Sequence, residues 1–448
     1  MTSIWWIRRD LRLADNAALQ AARAAGPAIP VFILDPRLLA RPAARRQAFL
    51  FAGLHALDAA LRQRGSYLVV RKGDPLRELH DLLAETGASG IFAEEDFTPF
   101  ARKRDSQVSQ ALPLHLLPGE TVQHPGLLLK QDGTPYTVYS PYSRKWKARL
   151  GPIDLIPPPE SIHTPAGVRS EPLPAAASDP RFPAGEEEAL TRLEEFTHRK
   201  IHSYAGDRDR VDLDGTSALS PYLRFGMLGI RQAVAAAMQP GGEGAAAWLN
   251  ELIWREFYIQ MLYHSPRIRR ESFDRSLARI PWRDDPDEFE AWKSGGTGVP
   301  IVDAAMRQLR QTGWMHNRLR MIAASYLVKD LLINWQWGER WFMENLIDGD
   351  PAANNGGWQW TAGTGADAAP YFRIFNPVLQ SRRFDPHGAY IRRWLPELAH
   401  LSDAEIHAPW EKGFNIPGYP QRPLVDHAQA VQRARLVYRS SRIAFSAA

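Results

Sequence analysis

Four short apolar runs near the start of the chain constrain the fold more than any other feature. SIWWIR (3–8), AIPVFILD (28–35), SYLVVR (66–71) and GIFA (90–93) are too short for buried helices and are rich in β-branched and aromatic residues. Stretches of helical periodicity, such as 44–64 and 75–86, lie between them. Strands alternating with helices predict an α/β fold with a doubly wound parallel sheet, which binds ligands beyond the carboxyl ends of its strands. No GxGxxG follows the first strand and no GxxxxGK[ST] occurs anywhere, which counts against a dinucleotide-binding dehydrogenase and a P-loop nucleotidase.

The alternation ends near residue 130. Residues 151–183 are dense in proline and without periodicity, the composition of a crossing between domains. From 186 onward the patterns are helical, as in EEEALTRLEEFTHRKI, AWLNELIWREFYIQML and IVDAAMRQLRQTG. A chain of 448 residues exceeds one ordinary core. The expected organisation is an α/β domain at 1–130, an interdomain linker at 131–185 and an all-α domain at 186–448.

Several function classes fall away on composition. Zero cysteines exclude disulfides, thiolate metal sites and a cysteine nucleophile. His198 and His202 stand at i, i+4, but without HExxH or an adjacent acid pattern no metal is expected. No signal peptide and no membrane-length apolar run is visible, so a cytoplasmic protein is expected. A formal charge of +5 is modest, yet arginines cluster in the C-terminal half: Arg267, Arg269, Arg270, Arg275, Arg279 and Arg283, then Arg318 and Arg320, then Arg382, Arg383, Arg392 and Arg393. Solvated helix faces and a nucleic-acid surface both account for such clusters.

Four segments could carry chemistry. In GTSALSPYLRFGMLG (215–229), Ser220 at N-cap and Pro221 at N1 predict a helix start, and Thr216 and Ser217 add hydroxyls suited to a phosphate. An ordinary capped helix fits as well. In WLNELIWREFYIQML, Glu251, Trp254, Arg255 and Tyr258 share one helical face, while Leu249, Ile253 and Phe257 can face the core. A carboxyl, an indole, a guanidinium and a phenol together suit a flat polar aromatic such as a nucleobase, although a surface ion pair beside aromatic packing would look similar. GWMHNRLRM (313–321) groups Asn317, Arg318 and Met321, with Arg320 on a different side.

DGDPAANNGGWQWTAG (348–363) places Trp358 and Trp360 in a stretch that reads as too irregular for a core helix. Asp348 and Asp350 can accept hydrogen bonds from ribose hydroxyls or arginine, Asn354 can donate and accept, and Gly356 and Gly357 permit close approach. Such a segment suits a chain wrapped around a large heteroaromatic cofactor, with nearby indoles able to exchange electrons with it.

At these motifs the chain resembles the photolyase/cryptochrome family, nearest to the class I photolyases of cyclobutane pyrimidine dimers. WREFY, GWMHNRLRM, DGDPAANNGGWQW and AAPYFRIFNP are similar to the family's flavin domain in order and spacing, and WWIRRDLRLADNAAL to its N-terminal antenna domain. The resemblance implies an all-α domain binding a U-shaped FAD below a pocket for a flipped-out dimer. Carried over by position, Tyr204, Thr216, Ser217, Ala218, Leu219, Ser220, Trp248, Asp348, Gly349 and Asp350 would hold FAD, with Arg320 as a salt-bridge partner. Asn354 would face flavin N5. Arg208, Glu251, Trp254, Arg255, Tyr258, Asn317, Arg318, Met321 and Trp360 would line the DNA site. Trp358, Trp335 and Trp282 match an electron relay from flavin to surface.

The implied reaction uses FADH⁻: light drives an electron into the dimer, two C–C bonds break and the electron returns. Glu251 would hydrogen-bond the dimer's carbonyl side and stabilise the radical anion. The family's (6-4) branch carries a His-His pair, whereas Asn317 follows His316 here, which favours cyclobutane dimers. A non-repairing blue-light receptor is the other alternative, and the short stretch after GYPQRPLVDHAQ leaves little room for the long tail such receptors often have. For an antenna chromophore, TPFARKRDSQV (98–108) and ARRQAFLFAGL resemble the deazaflavin-type pattern more than the folate type, which has an Asn-Glu pair where Phe100 and Ala101 stand; a flavin or no antenna would also be compatible. The expected partner is dimer-containing DNA, bound by a monomer.

Overall fold

The computed structural model describes residues 2–177, 179–370 and 373–446. Tyr371 and Phe372 of the AAPYFRIFNP motif lie outside the described residues. Five strands, β1 (Ser3–Ile7), β2 (Ala28–Leu34), β3 (Val69–Lys72), β4 (Ile91–Glu94) and β5 (Leu114–Leu117), form one parallel sheet in the order β3-β2-β1-β4-β5. The register sets Trp5 opposite Pro30 and Ile4 opposite Ile91. All five residues of β1 are buried, as a central strand covered on both faces must be. The doubly wound sheet matches the expectation; β5 was not foreseen, because LHLL is a partly exposed edge strand without a continuous apolar run.

The chain forms two compact units, residues 1–205 with 217–266, and 206–216 with 267–448. These units divide the chain elsewhere than its composition does. In the first, Leu13 N and Ala14 N donate to the Glu186 carboxylate at 2.7 and 2.8 Å, so the helix Glu186–Arg199 belongs with the sheet. Part of the expected linker is also a packed helix, Tyr139–Ala148. Its Trp146 Nε1 donates to Glu256 of the Gly242–His264 helix at 2.6 Å, and Val122 N and Gln123 N donate to the same carboxylate. Burial pushes the Glu256 carboxyl up to about 7, against these three donors.

The second unit is helical around a core that includes Trp292, Met306, Leu309, Ile322, Phe342 and Trp358. Its central helices are Pro300–Thr312, Asn317–Ser325, Trp335–Asn345 and Pro351–Ala362.

The last of these overturns the reading of 348–363 as irregular. Asp350 caps the helix by accepting from Ala352 N and Ala353 N at 2.9 and 3.1 Å, and Pro351 presets the first turn. Gly363, at φ 76°, ends it with its N–H on Gln359 O and Trp360 O. Gly356 and Gly357 each cost about 1 kcal/mol relative to alanine, which packing and caps offset. Ser220 is likewise the first residue of a six-residue helix, Ser220–Phe225, rather than its N-cap; Leu219 holds that position without a side-chain bond, preceded by Ala218 at φ 49°.

Candidate functional site

Residues two apart on a helix point about 200° away from each other. Trp358 and Trp360 therefore leave opposite sides of the Pro351–Ala362 helix: Trp358 is 2% exposed within the core, and Trp360 is half-buried. Trp358 meets Phe342 edge-on at 5.0 Å and Trp292 at 6.1 Å. Its Nε1 has no hydrogen-bond partner among the described residues, so packing rather than a hydrogen bond holds the ring. Trp335, also 2% exposed, shares that core, and Trp282 is partly buried against it and edge-on to Tyr438 at 6.0 Å.

The amides of this helix divide in the same way. Asn354 Nδ2 donates to Glu339 O at 3.0 Å, which fixes the orientation of its carboxamide. Asn355 and Gln359, which sequence reasoning did not single out, both donate to Ile268 O, at 3.1 and 2.9 Å. Gln359 Oε1 accepts from Phe273 N at 2.8 Å. Their i, i+4 spacing was the available signal: it lays two amides along one side, against the main chain of 268–273. At the C-terminal end, Lys329 Nζ and Tyr438 Oη both donate to Ala362 O, at 2.9 and 2.7 Å, and burial holds the Lys329 ammonium down to about 7.

Just before the helix, Asp348 is buried and bonded to Arg320 Nη2 at 2.8 Å, while Arg320 Nε donates to Met315 O. Arg318 points elsewhere, pairing with Asp209 at 2.7 Å and lying 4.6 Å over Phe384. Asn317 is exposed, with Nδ2 4.0 Å from Met321 Sδ. His316 caps the helix Asn317–Ser325, its Nδ1 accepting from Arg318 N at 3.1 Å. Burial holds this imidazole neutral, down to about 4, against the opposing charge of Asp209 and with smaller help from Arg318, Arg320 and Arg208.

In the first unit, Glu251, Trp254, Arg255 and Tyr258 are all half-buried on one helix, with Ile253 and Phe257 buried beneath and Leu249 only partly buried. Arg255 Nη1 donates to Glu120 O at 2.9 Å, an anchor the sequence did not disclose. Trp254 stacks flat on Tyr139, with ring centroids 3.7 Å apart and planes 4° from parallel. Tyr204 and Trp248 come together around Phe196, at 5.5 and 4.8 Å. A Cβ on Gly244 would overlap Ile201 O, so the Gly242–His264 helix needs glycine where it crosses that turn. Ser217 and Leu219 also belong to this unit, and Thr216 to the other.

Two domain families cover most of the chain. Residues 3–163 match DNA photolyase, and residues 248–440 match the FAD binding domain of DNA photolyase. A deoxyribodipyrimidine photo-lyase of Salmonella typhimurium is 42% identical, over 98% of this chain and 99% of its own length. The chain belongs to the DNA photolyase family. Among solved structures, a class III photolyase from Agrobacterium tumefaciens superposes with a TM-score of 0.93 at 37% identity, covering 98% of this chain and 97% of that one. An archaeal photolyase from Sulfolobus tokodaii, described with two FAD molecules, gives 0.87 at 31%, covering 98% and 100%.

The residues of this photolyase-family chain fit the flavin that its matched domain is described as binding. Asp348 is buried and fixed in place by its ion pair with Arg320 at 2.8 Å. One turn beyond Asn354, a Cβ on Gly357 would meet no atom of another element within 4 Å among the described residues, so space is open beside the backbone there. Much of the arginine excess is engaged within the protein. Arg283 pairs with Asp285 and Glu288, Arg392 with Asp403, and Arg267 donates to Ser272 O and Phe273 O. The arginine clusters therefore serve the fold as well as any nucleic-acid surface.

Proposed function

We propose that this chain is a light-driven DNA repair enzyme that binds FAD and splits cyclobutane pyrimidine dimers, a deoxyribodipyrimidine photo-lyase. The observation that carries the reading is the Pro351–Ala362 helix, which brings Asn354, a core-buried Trp358 and a Trp360 on the opposite side to one element, next to the Arg320–Asp348 pair. When bound and reduced, FAD supplies on illumination the electron that opens the dimer.

On this reading the protein binds, orients and keeps water away. Tyr204, Thr216, Ser217, Ala218, Leu219, Ser220, Trp248, Arg320, Asp348, Gly349 and Asp350 are assigned to the cofactor. One oxygen of Asp350 already takes two helix amides. Asn354, its amide fixed by Glu339 O, is assigned to flavin N5. Trp358, Trp335 and Trp282 are assigned to the relay, the first two buried away from water and Trp282 partly buried towards the surface. Glu251, Trp254, Arg255, Tyr258, Arg208, Asn317, Arg318, Met321 and Trp360 are assigned to DNA and lesion. We assign antenna, linker and catalytic roles to 1–130, 131–185 and 186–448, and propose a cytoplasmic monomer. Among the described residues no helix is long and apolar enough to cross a membrane.

For the antenna, a deazaflavin-type chromophore is preferred to folate. Ala101 is 1% exposed in the first turn of the helix Pro99–Ala111 and offers no carboxylate where the folate-type pair has its acid. The guanidiniums of Arg37 and Arg41 lie 5.3 and 5.7 Å over the Phe100 ring, a cationic aromatic setting suited to an anionic flavin-like ring system.

Binding tests the reading. At one fixed salt concentration, a duplex with a single cyclobutane dimer should bind much more tightly than the same intact duplex. Flipping costs a few kcal/mol, and least where stacking and pairing are already weakened. Equal affinities would favour a photoreceptor instead.

A further inference from the structure

The stack between Trp254 and Tyr139 has no part in the assignments above. Tyr139 opens the Tyr139–Ala148 helix, in the stretch that composition reads as linker. Its ring lies flat on the Trp254 indole at 3.7 Å. Its hydroxyl donates to Asn250 O at 2.9 Å, one turn before Trp254 on the same helix, and Lys147 Nζ donates to Asn250 Oδ1 at 2.8 Å. Buried Phe257 closes one edge of the stack, 5.9 Å from Tyr139 and 5.4 Å from Trp254, each nearly perpendicular. Tyr258 adds a third ring contact, tilted by 37° at 5.5 Å, so Trp254 is half-buried yet held in one orientation.

We propose that Tyr139 is a positioning residue for lesion binding. It covers one face of Trp254 and presets the indole so that its remaining face can receive a flipped pyrimidine dimer. The idea rests on the assignment of Trp254 to the lesion site. An indole without this support would exchange rotamers in the free protein and lose that freedom on binding, and a ring frozen beforehand avoids the loss. Because Tyr139 is proposed to act through the indole face, its effect is expected on lesion-containing DNA and not on intact duplex.

The test uses the full-length, FAD-loaded protein in the dark and fluorescence anisotropy with a short duplex, either intact or carrying one cyclobutane thymine dimer. Tyr139→Ala should weaken dimer binding about 3- to 10-fold, the range expected for losing one aromatic pair, and leave intact-duplex binding unchanged. Tyr139→Phe keeps the ring and should stay within about twofold of the unmodified protein. Trp254→Ala should weaken dimer binding, and adding Tyr139→Ala to it should change little, because Tyr139 acts through Trp254. Tyr139→Leu serves as a second stack-breaking variant if the alanine variant folds poorly.

The results separate the two ideas. If Trp254→Ala binds the dimer normally, the assignment of Trp254 fails and the proposal with it. If Trp254→Ala is impaired while the folded Tyr139 variants are not, the proposal alone is overturned. Equal losses on intact and dimer-containing duplex would also overturn it, by showing a general role in structure or backbone contact.

Discussion

Gly338 and Trp358 share one space: a Cβ on Gly338 would stand within 2.6 Å of the indole's Cζ2 and Cζ3 and closer still to its Cη2. Gly338 lies one turn after Trp335 on the same helix, so this contact fixes where Trp358 rests relative to Trp335, the second residue of the proposed relay. On an exposed helix face, Gly→Ala would stabilise by about 1 kcal/mol. Here we expect Gly338→Ala to destabilise by about 1–3 kcal/mol through overpacking and to slow flavin photoreduction several-fold. Absorbance of the flavin under blue light with an external reductant checks this, and an unchanged photoreduction rate would contradict the assigned relay geometry.

Trp358→Phe should separate the proposed relay from repair. The smaller ring still fills much of the site beside Phe342 and Trp292, so FAD should be retained. Chemically reduced variant should repair a dimer, whereas oxidised variant should fail to photoreduce. Normal photoreduction in the variant would remove Trp358 from the relay.

Arg320 and Asp348 should prove inseparable. Arg320→Met leaves a buried carboxylate without this partner, and we expect a loss of about 3 kcal/mol, the low end for a broken buried pair because the arginine side chain is 25% exposed. Flavin retention on gel filtration should drop sharply. Adding Asp348→Asn should recover stability but not flavin; a double variant that regains both would show that the pair serves only the fold.

His316 predicts a pH dependence with a definite sign. Its folded pKa is held down to about 4 from an ordinary value of 6.5, so between these values the unfolded chain takes up a proton that the folded chain refuses. Its contribution is fully present above pH 6.5 and is lost as pH falls to 4, by about 3 kcal/mol at most. His316→Asn keeps a capping acceptor without the titration. The unfolding free energy of the unmodified protein, measured in denaturant from pH 7.5 to pH 4, should therefore fall relative to that of the variant. A constant difference would mean that the imidazole is not held neutral in the folded state.

Legibility in the sequence followed the physics of burial. Strands β1 to β4 were visible because a parallel sheet covered on both faces demands continuous apolar runs, and β5 was hidden because an edge strand does not. The Pro351–Ala362 helix escaped notice because one side docks through Asn355 and Gln359 onto main-chain carbonyls, leaving no apolar stripe at helical spacing. The helix Tyr139–Ala148 shows three aromatics at helical spacing, Tyr139, Tyr142 and Trp146, a signal masked by the neighbouring prolines. The face formed by Glu251, Trp254, Arg255 and Tyr258 followed from periodicity alone. Their partners Tyr139 and Glu120 could not, since long-range contacts leave no local pattern. Roles at the cofactor came from resemblance rather than spacing.

Which bond light breaks decides the proposed function. Reduced, FAD-loaded protein is illuminated with oligonucleotides carrying either a cyclobutane pyrimidine dimer or a (6-4) photoproduct, and the products are separated by chromatography. We predict restoration of the two pyrimidines from the dimer, no change in the (6-4) lesion, and a lower yield per photon in Glu251→Ala with FAD still bound. Repair of the (6-4) lesion without the dimer would overturn the substrate assignment, and repair of neither by a protein that photoreduces normally would contradict the enzyme itself.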